Sequence, residues 1–135
     1  MELSRVLYVD DDPDLRSMAE LALATIGGLE VTLCADGAQA PMLARISQAQ
    51  MVLLDVVMPG LDGPGTLAAL RADEFTASLP VLFVTAKDTD AERAELLALG
   101  AVGVITKPLD LMGMAAQVKA IWAGITSRTA QTAPR

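Results

Sequence analysis

The stretch Met51–Gly63, MVLLDVVMPGLDG, decides how the chain is read. Four apolar residues run unbroken to Leu54, and Asp55 stands where the run would otherwise continue. Pro59-Gly60 and Asp62-Gly63 behind it are turn chemistry. An apolar run of this length closed by turn signals reads as a buried strand that leads into a loop. Asp55 is thereby placed at the strand's carboxyl end, where open α/β sheets keep their ligand crevices. Taken alone, such an aspartate does no more than cap or terminate a strand. Its meaning depends on what the other strand ends carry.

Outward from this stretch, the same grammar repeats. Upstream, Arg5–Val9 (RVLYV) is a β-prone run ending at Asp10-Asp11-Asp12-Pro13. Asp12 is the expected N-cap, with Pro13 at the first helical position. Leu15, Met18, Ala19, Ala22, Leu23 and Ile26 then recur at helical spacing until Gly27-Gly28. Leu29–Cys34 is a second strand, and Asp36 with Gln39 resembles a capping box for a helix to about Ser47. Downstream, a short helix is expected from Pro64 to about Ala72. Pro80–Val84 is a fourth strand, ending in Thr85-Ala86-Lys87. Thr89-Asp90-Ala91-Glu92 reads as a capping box opening a helix to Leu99, before Gly100. Val102–Thr106 is a fifth strand, followed by Lys107-Pro108. Asp110 caps the last helix, with Leu109 able to staple onto Met114. Its stripe runs from Leu111 through Val118 and Trp122 to Ile125. From Thr126 to Arg135 periodicity is lost, so residues 126–135 are expected to form a disordered tail after a domain spanning residues 1–125.

The totals narrow the function. A chain of 135 residues has room for one domain, and 53% hydrophobic content with few aromatics requires an aliphatic core. A net charge of −7 argues against a nucleic-acid surface. No apolar run reaches the roughly 18 residues of a membrane span, and no signal-peptide pattern opens the chain, so a soluble cytoplasmic protein without membrane association is expected. The lone Cys34 excludes an internal disulfide, and the absence of histidine excludes imidazole catalysis and His-ligated zinc.

Five apolar strands alternating with five helices predict a doubly wound five-stranded parallel sheet. The flavodoxin-like order 2-1-3-4-5 is one of two common arrangements. In that order the polar strand ends, Asp10-Asp11, Thr85 and Lys107, gather around Asp55, and Cys34 falls at the edge. Singly, Lys107 is a solvated lysine and Thr85 a strand-end hydroxyl bonded to backbone. Their contiguity points instead to a site.

At these residues the sequence resembles the receiver domain of two-component response regulators, in the stand-alone, chemotaxis-type single-domain form. The match covers about Arg5 to Ile125 and rests on VDDDP (Val9–Pro13), LLDVVMPGLDG (Leu53–Gly63), VTA (Val84–Ala86) and GAVGVITKP (Gly100–Pro108). The resemblance implies that Asp55 accepts a phosphoryl group from the phosphohistidine of a sensor histidine kinase or phosphotransfer protein. It implies Mg²⁺ bound by Asp11, Asp55 and the backbone carbonyl of Val57, with Asp10 acting through a water. Lys107 would neutralise the moving phosphoryl oxygens, Thr85 would be the switch, and Ala86 would leave the phosphoryl group space. Lys107-Pro108 would be a cis peptide. On this reading the chain catalyses only its own phosphorylation and dephosphorylation. Independently of the resemblance, three carboxylates cannot share a crevice without a cation, and Mg²⁺ suits such oxygen ligands.

The chain also departs from the family. Val104 stands where an aromatic commonly lies three residues before the lysine, and Leu109 replaces a common Phe. Val57 and Lys87, two residues beyond Asp55 and Thr85, border the hydrolytic water's path in this family. Apolar Val57 cannot orient that water, which implies slow self-dephosphorylation. Output is expected from the fourth helix, fifth strand and last helix, where Leu96, Leu97 and Leu99 exceed one core stripe. A broadly buried helix is the alternative there. With no further domain after Ile125, the readout would be a downstream protein or a phosphorylation-dependent dimer. Two rival classes remain: a haloacid-dehalogenase-like phosphatase using Asp10, and a flavodoxin-like binding module without phosphorylation. The first lacks an acidic pair after Lys107, and the second lacks a Ser/Thr/Gly-rich phosphate loop.

Overall fold

The computed structural model of the chain describes residues 2–87 and 89–132. Five strands, β1 (Arg5–Val9), β2 (Glu30–Cys34), β3 (Met51–Asp55), β4 (Val81–Thr85) and β5 (Gly103–Thr106), form one sheet. Every pairing is parallel, and the order is β2-β1-β3-β4-β5, the flavodoxin-like arrangement. The helices are α1 (Pro13–Glu20), α2 (Ala40–Ile46), α3 (Gly63–Ala72), α4 (Asp90–Ala98) and α5 (Met114–Thr132). Among the described residues, no helix is long and apolar enough to cross a membrane.

Strand alternation divides the core into two layers. Val6, Tyr8, Met51, Leu53, Leu82 and Val84 pack with α1 and α5, against Ala19, Leu23, Met114 and Val118. Leu7, Val9, Val52, Leu54, Val81 and Phe83 face the other way, towards Ala40, Ala44, Leu67, Leu70 and Leu96. Because side chains alternate along a strand, every apolar residue of β3 is used by one layer or the other. All five β3 residues are buried, including Asp55.

The caps follow the local sequence. Asp12 accepts from the backbone N–H groups of Asp14 and Leu15, with Pro13 opening α1. Thr89 Oγ1 accepts from Glu92 N at 3.1 Å. Asp36 caps a short 3₁₀ turn, Gly37–Gln39, through Ala38 N, and α2 follows it. Leu109 and Met114 are both buried in the α1/α5 layer, as the staple requires.

Three elements differ from the expected pattern. The helix after Pro13 widens into a π-helical segment at Leu21–Ile26, which spacing alone does not reveal. The segment ends where Gly28 takes φ +74°, a left-handed conformation suited to glycine, while Lys119 of α5 donates to Gly27 O at 2.7 Å. Asp110 caps the turn leading into α5, which begins one turn later than expected: its Oδ1 accepts from Met112 N at 3.2 Å and its carbonyl from Met114 N at 2.8 Å. Finally, α5 does not stop at Ile125 but continues to Thr132, past the boundary expected for the last helix. The loss of apolar periodicity after Ile125 hid this. Residues 133–135 lie outside the described residues.

Gly63 opens α3 directly beneath the end of β3. A Cβ there would lie 2.6 Å from Asp55 O and 2.7 Å from Val56 Cα, both backbone atoms that cannot swing aside. We expect Gly63→Ala to destabilise the fold by about 1–3 kcal/mol in urea unfolding. An unchanged midpoint would show that the α3 entrance can shift freely.

Candidate functional site

The carboxyl ends of β1 and β3 are neighbours, with Val9 opposite Leu54, so the residues that follow them meet. Asp10 continues the parity of Val6 and Tyr8, and Asp55 that of Met51 and Leu53. Both carboxylates therefore leave the sheet on its α1/α5 side. Asp11 joins them from the exposed loop, and one carboxylate oxygen from each of the three lies within 4.8 Å of the others. Asp10 and Asp55 are buried, whereas Asp11 is exposed.

Lys107 supplies the site's ion-pairing cation. Its Nζ lies 2.9 Å from Asp55 Oδ1 and 3.6 Å from Asp10 Oδ2. The strand end is held by Lys107 N donating to Thr85 O at 2.8 Å, and the Lys107-Pro108 peptide is cis. Lys107 is thus no freely solvated lysine. Burial lowers its affinity for a proton, but the hydrogen bond and charge of Asp55, with Asp10, outweigh this and leave its pKa raised. At Asp55, burial pushes the carboxyl above the usual carboxylate range. The Lys107 hydrogen bond opposes that shift, and the charges of Asp10 and Asp11 reinforce it.

Asp10 is held on several sides. Its Oδ1 accepts from Asp12 N at 3.0 Å and its Oδ2 from the Tyr8 hydroxyl at 3.1 Å, while Arg16 donates to its backbone oxygen at 2.8 Å. Burial, then the charge of Asp10, raises the Tyr8 pKa, so the phenol remains a donor. The sequence reading missed Tyr8 and Arg16. Tyr8 was legible in principle, since it precedes Asp10 by two residues on one strand face. Arg16 carried no signal beyond its place on α1's first turns.

Thr85 takes the other face of the sheet, continuing the parity of Val81 and Phe83. It is buried, and its Oγ1 accepts from Lys87 N at 3.1 Å. In this state it is a strand-end hydroxyl bonded to backbone, the plainer of its two sequence readings. Ala86 is exposed in the loop that follows, and Val57 is an exposed side chain after β3. Val104 is buried in the α2/α3/α4 layer, and its carbonyl accepts from Arg93 of α4 at 3.4 Å. Leu96 is buried, but Leu97 and Leu99 are exposed, so α4 is not broadly buried.

Three carboxylates opposed by one lysine leave excess negative charge in a partly buried crevice. That donor set, oxygen only and without histidine or thiolate, fits a hard divalent cation and does not fit zinc.

Comparison with known proteins agrees with this geometry. Residues 6–119 match the family described as the response regulator receiver domain. The chain is 34% identical over 123 residues to protein PilH of Pseudomonas aeruginosa, covering 90% of this chain and 100% of PilH. It is 37% identical over 117 residues to the transcriptional regulatory protein PrrA of Mycobacterium tuberculosis, covering 87% of this chain and 49% of PrrA. With the DNA-binding regulator RpaA of Synechocystis, identity is 34% over 88% of this chain and 49% of that protein. The chain therefore spans about half the length of the transcriptional regulators it matches. Among solved structures, the chemotaxis protein CheY4 of Vibrio cholerae superposes with a TM-score of 0.79 at 28% identity, over 88% of this chain and 98% of that one. A Francisella response regulator receiver domain gives 0.78 at 25%, over 90% and 98%. The chain belongs to the response regulator receiver domains of two-component signalling systems.

Proposed function

We propose that this domain receives a phosphoryl group on Asp55 from a phosphohistidine of a sensor kinase or phosphotransfer protein. The observation that carries the reading is the buried Asp55 carboxylate, paired with Lys107 and grouped with Asp10 and Asp11. In the transfer, an Asp55 carboxylate oxygen forms a bond to phosphorus while the P–N bond to the donor imidazole breaks. The imidazole keeps the electron pair and takes up a proton.

Asp10, Asp11 and Asp55, with the Val57 carbonyl, would hold Mg²⁺, which supplies charge neutralisation for the phosphoryl oxygens when bound. Lys107 already sits against Asp55 and adds a fixed positive charge where negative charge develops. Burial at the end of β3 limits water at the carboxylate. Thr85 would turn its hydroxyl to the phosphoryl group, with exposed Ala86 leaving space beside it. Loop motion would then reach the face of α4, β5 and α5, where Leu97 and Leu99 are exposed. That face would engage a downstream protein or a second copy. A cytoplasmic location follows from the kinase partnership, and residues 1–125 with the extended α5 would act as one receiver unit. Apolar Val57 would make the phosphorylated state long-lived.

Asp10 is a poor candidate for the nucleophile, because its Oδ1 is held by Asp12 N and its Oδ2 by Tyr8 and Lys107. With acetyl phosphate and Mg²⁺, the parent should gain one phosphoryl group by intact mass, and Asp55→Asn should gain none. Label retained in Asp55→Asn would favour a phosphatase-type reading centred on Asp10. Failure of the parent to label would favour a binding module.

Cation binding gives a second test. Mg²⁺ at ten times its Kd should stabilise the parent by about 1.4 kcal/mol, and Asp11→Asn should lose most of that gain. Because the Asp55 carboxyl is raised by burial, a proton competes for the site above the ordinary aspartate range. Mg²⁺ affinity should therefore weaken as pH falls into that range, measured by calorimetry. A flat profile would sink this assignment.

A further inference from the structure

A cavity of about 220 Å³ opens beside Thr85, between the β3–α3 loop and α4. Its walls are Val56 and Pro64 on one side and Leu96 and Leu99 on the other. Polar groups enter it from two elements: Lys87 from the β4–α4 loop, and Glu92 and Glu95 from α4. Glu92 is the unusual one. Its N–H is taken by the Thr89 cap, yet its side chain is not spent on the return half of a capping box, and buried Oε2 has no hydrogen-bond partner. A buried carboxylate oxygen left unpaired is costly, so a cation within reach is strongly favoured to meet it.

Lys87 is the cation in the cavity's lining. It is joined to the switch threonine, because its own N–H donates to Thr85 Oγ1. A hydroxyl has one proton to give and two lone pairs, so Thr85 can donate to a new anion while still accepting from Lys87 N. Movement of Thr85 towards Asp55 therefore carries the Lys87 backbone with it. Val104, short and packed into the core under α4, has no polar group to sense that movement.

We propose that Lys87 and Glu92 transmit the state of Asp55 to α4, the Lys87 ammonium entering the cavity to pair with Glu92 when Thr85 turns to the phosphoryl group. The proposal rests on Asp55 being the phosphoacceptor. The pair would tie the β4–α4 loop to the first turn of α4, and so fix a helix that otherwise buries only Leu96. Glu95 lines the same cavity but has no unpaired buried oxygen, which makes it the internal control.

The experiment is amide hydrogen exchange across residues 90–98, with and without acetyl phosphate and Mg²⁺, alongside intact mass to count phosphoryl groups. In the parent, phosphorylation should slow exchange there about five-fold, as an added partly buried ion pair would. Lys87→Ala and Glu92→Gln should each take up one phosphoryl group and lose most of that slowing. Glu95→Gln should keep it, and the exchanged pair Lys87→Glu with Glu92→Lys should recover part of it. Full slowing in both single variants, at full labelling, would overturn the link while leaving the phosphoacceptor reading intact. Absence of label in the parent would overturn that reading and the link with it.

Discussion

The convergence of Asp10, Asp11 and Asp55 is the constraint on which the rest of the structure depends. Three carboxylate oxygens within 4.8 Å of one another repel, and two of the residues are buried, where repulsion is least screened. The fold meets this with rigid partners instead of solvent. Tyr8 O–H and Asp12 N–H satisfy Asp10, and Lys107 reaches from the end of the edge strand β5 to Asp55. That reach is possible because β3 is central, with β1 on one side and β4 and then β5 on the other. One lysine against three aspartates still leaves the site short of positive charge. The deficit is what suits the cluster to a cation and distinguishes it from a balanced salt bridge.

Alternation along the strands then sets Thr85 apart from the carboxylates. Asp10, Asp55 and, by the parity of Ile105, Lys107 lie on the α1/α5 side, whereas Thr85 shares the face of Phe83 and Val104 under α4. A change in charge at Asp55 is thus felt on one side of the sheet, and a displaced Thr85 acts on the other. The two meet only at the strand ends, where β3 pairs with β4 through Asp55 and Val84. A one-residue shift in β4 would move Thr85 to the opposite face, so the register decides which layer its hydroxyl joins.

Much of this was legible from residue order. Continuous apolar runs declared the strands, Asp12-Pro13 and Thr89 declared helix starts, and the strand order brought Asp10, Asp11, Thr85 and Lys107 around Asp55. What stayed hidden depended on local geometry or on tertiary partners. The π-helical turns at Leu21–Ile26 keep an ordinary apolar pattern, so spacing could not show them. The extension of α5 to Thr132 has no apolar stripe in its sequence, so spacing could not announce it. Tyr8 was overlooked because a tyrosine in a β-prone run looks like core, and only its hydroxyl contact with Asp10 gives it a second role. Glu92 looked fully used as the second half of a capping box, and its unpaired oxygen depends on tertiary packing that residue order does not carry.

The uneven burial of the helices decides which part of the molecule can move. α3 buries Gly63, Thr66, Leu67 and Leu70, and Asp62 caps it directly behind β3. α4, of similar length, buries only Leu96, and its neighbours Leu97 and Leu99 face solvent. Displacing α3 would expose four residues' worth of core, whereas displacing α4 exposes one. Local free energy therefore favours α4 as the element that yields when the β4–α4 loop shifts. The same shallow burial leaves its apolar side chains available for another surface. A helix that is weakly held and partly apolar is suited to be both the moving part and the docking part of a switch.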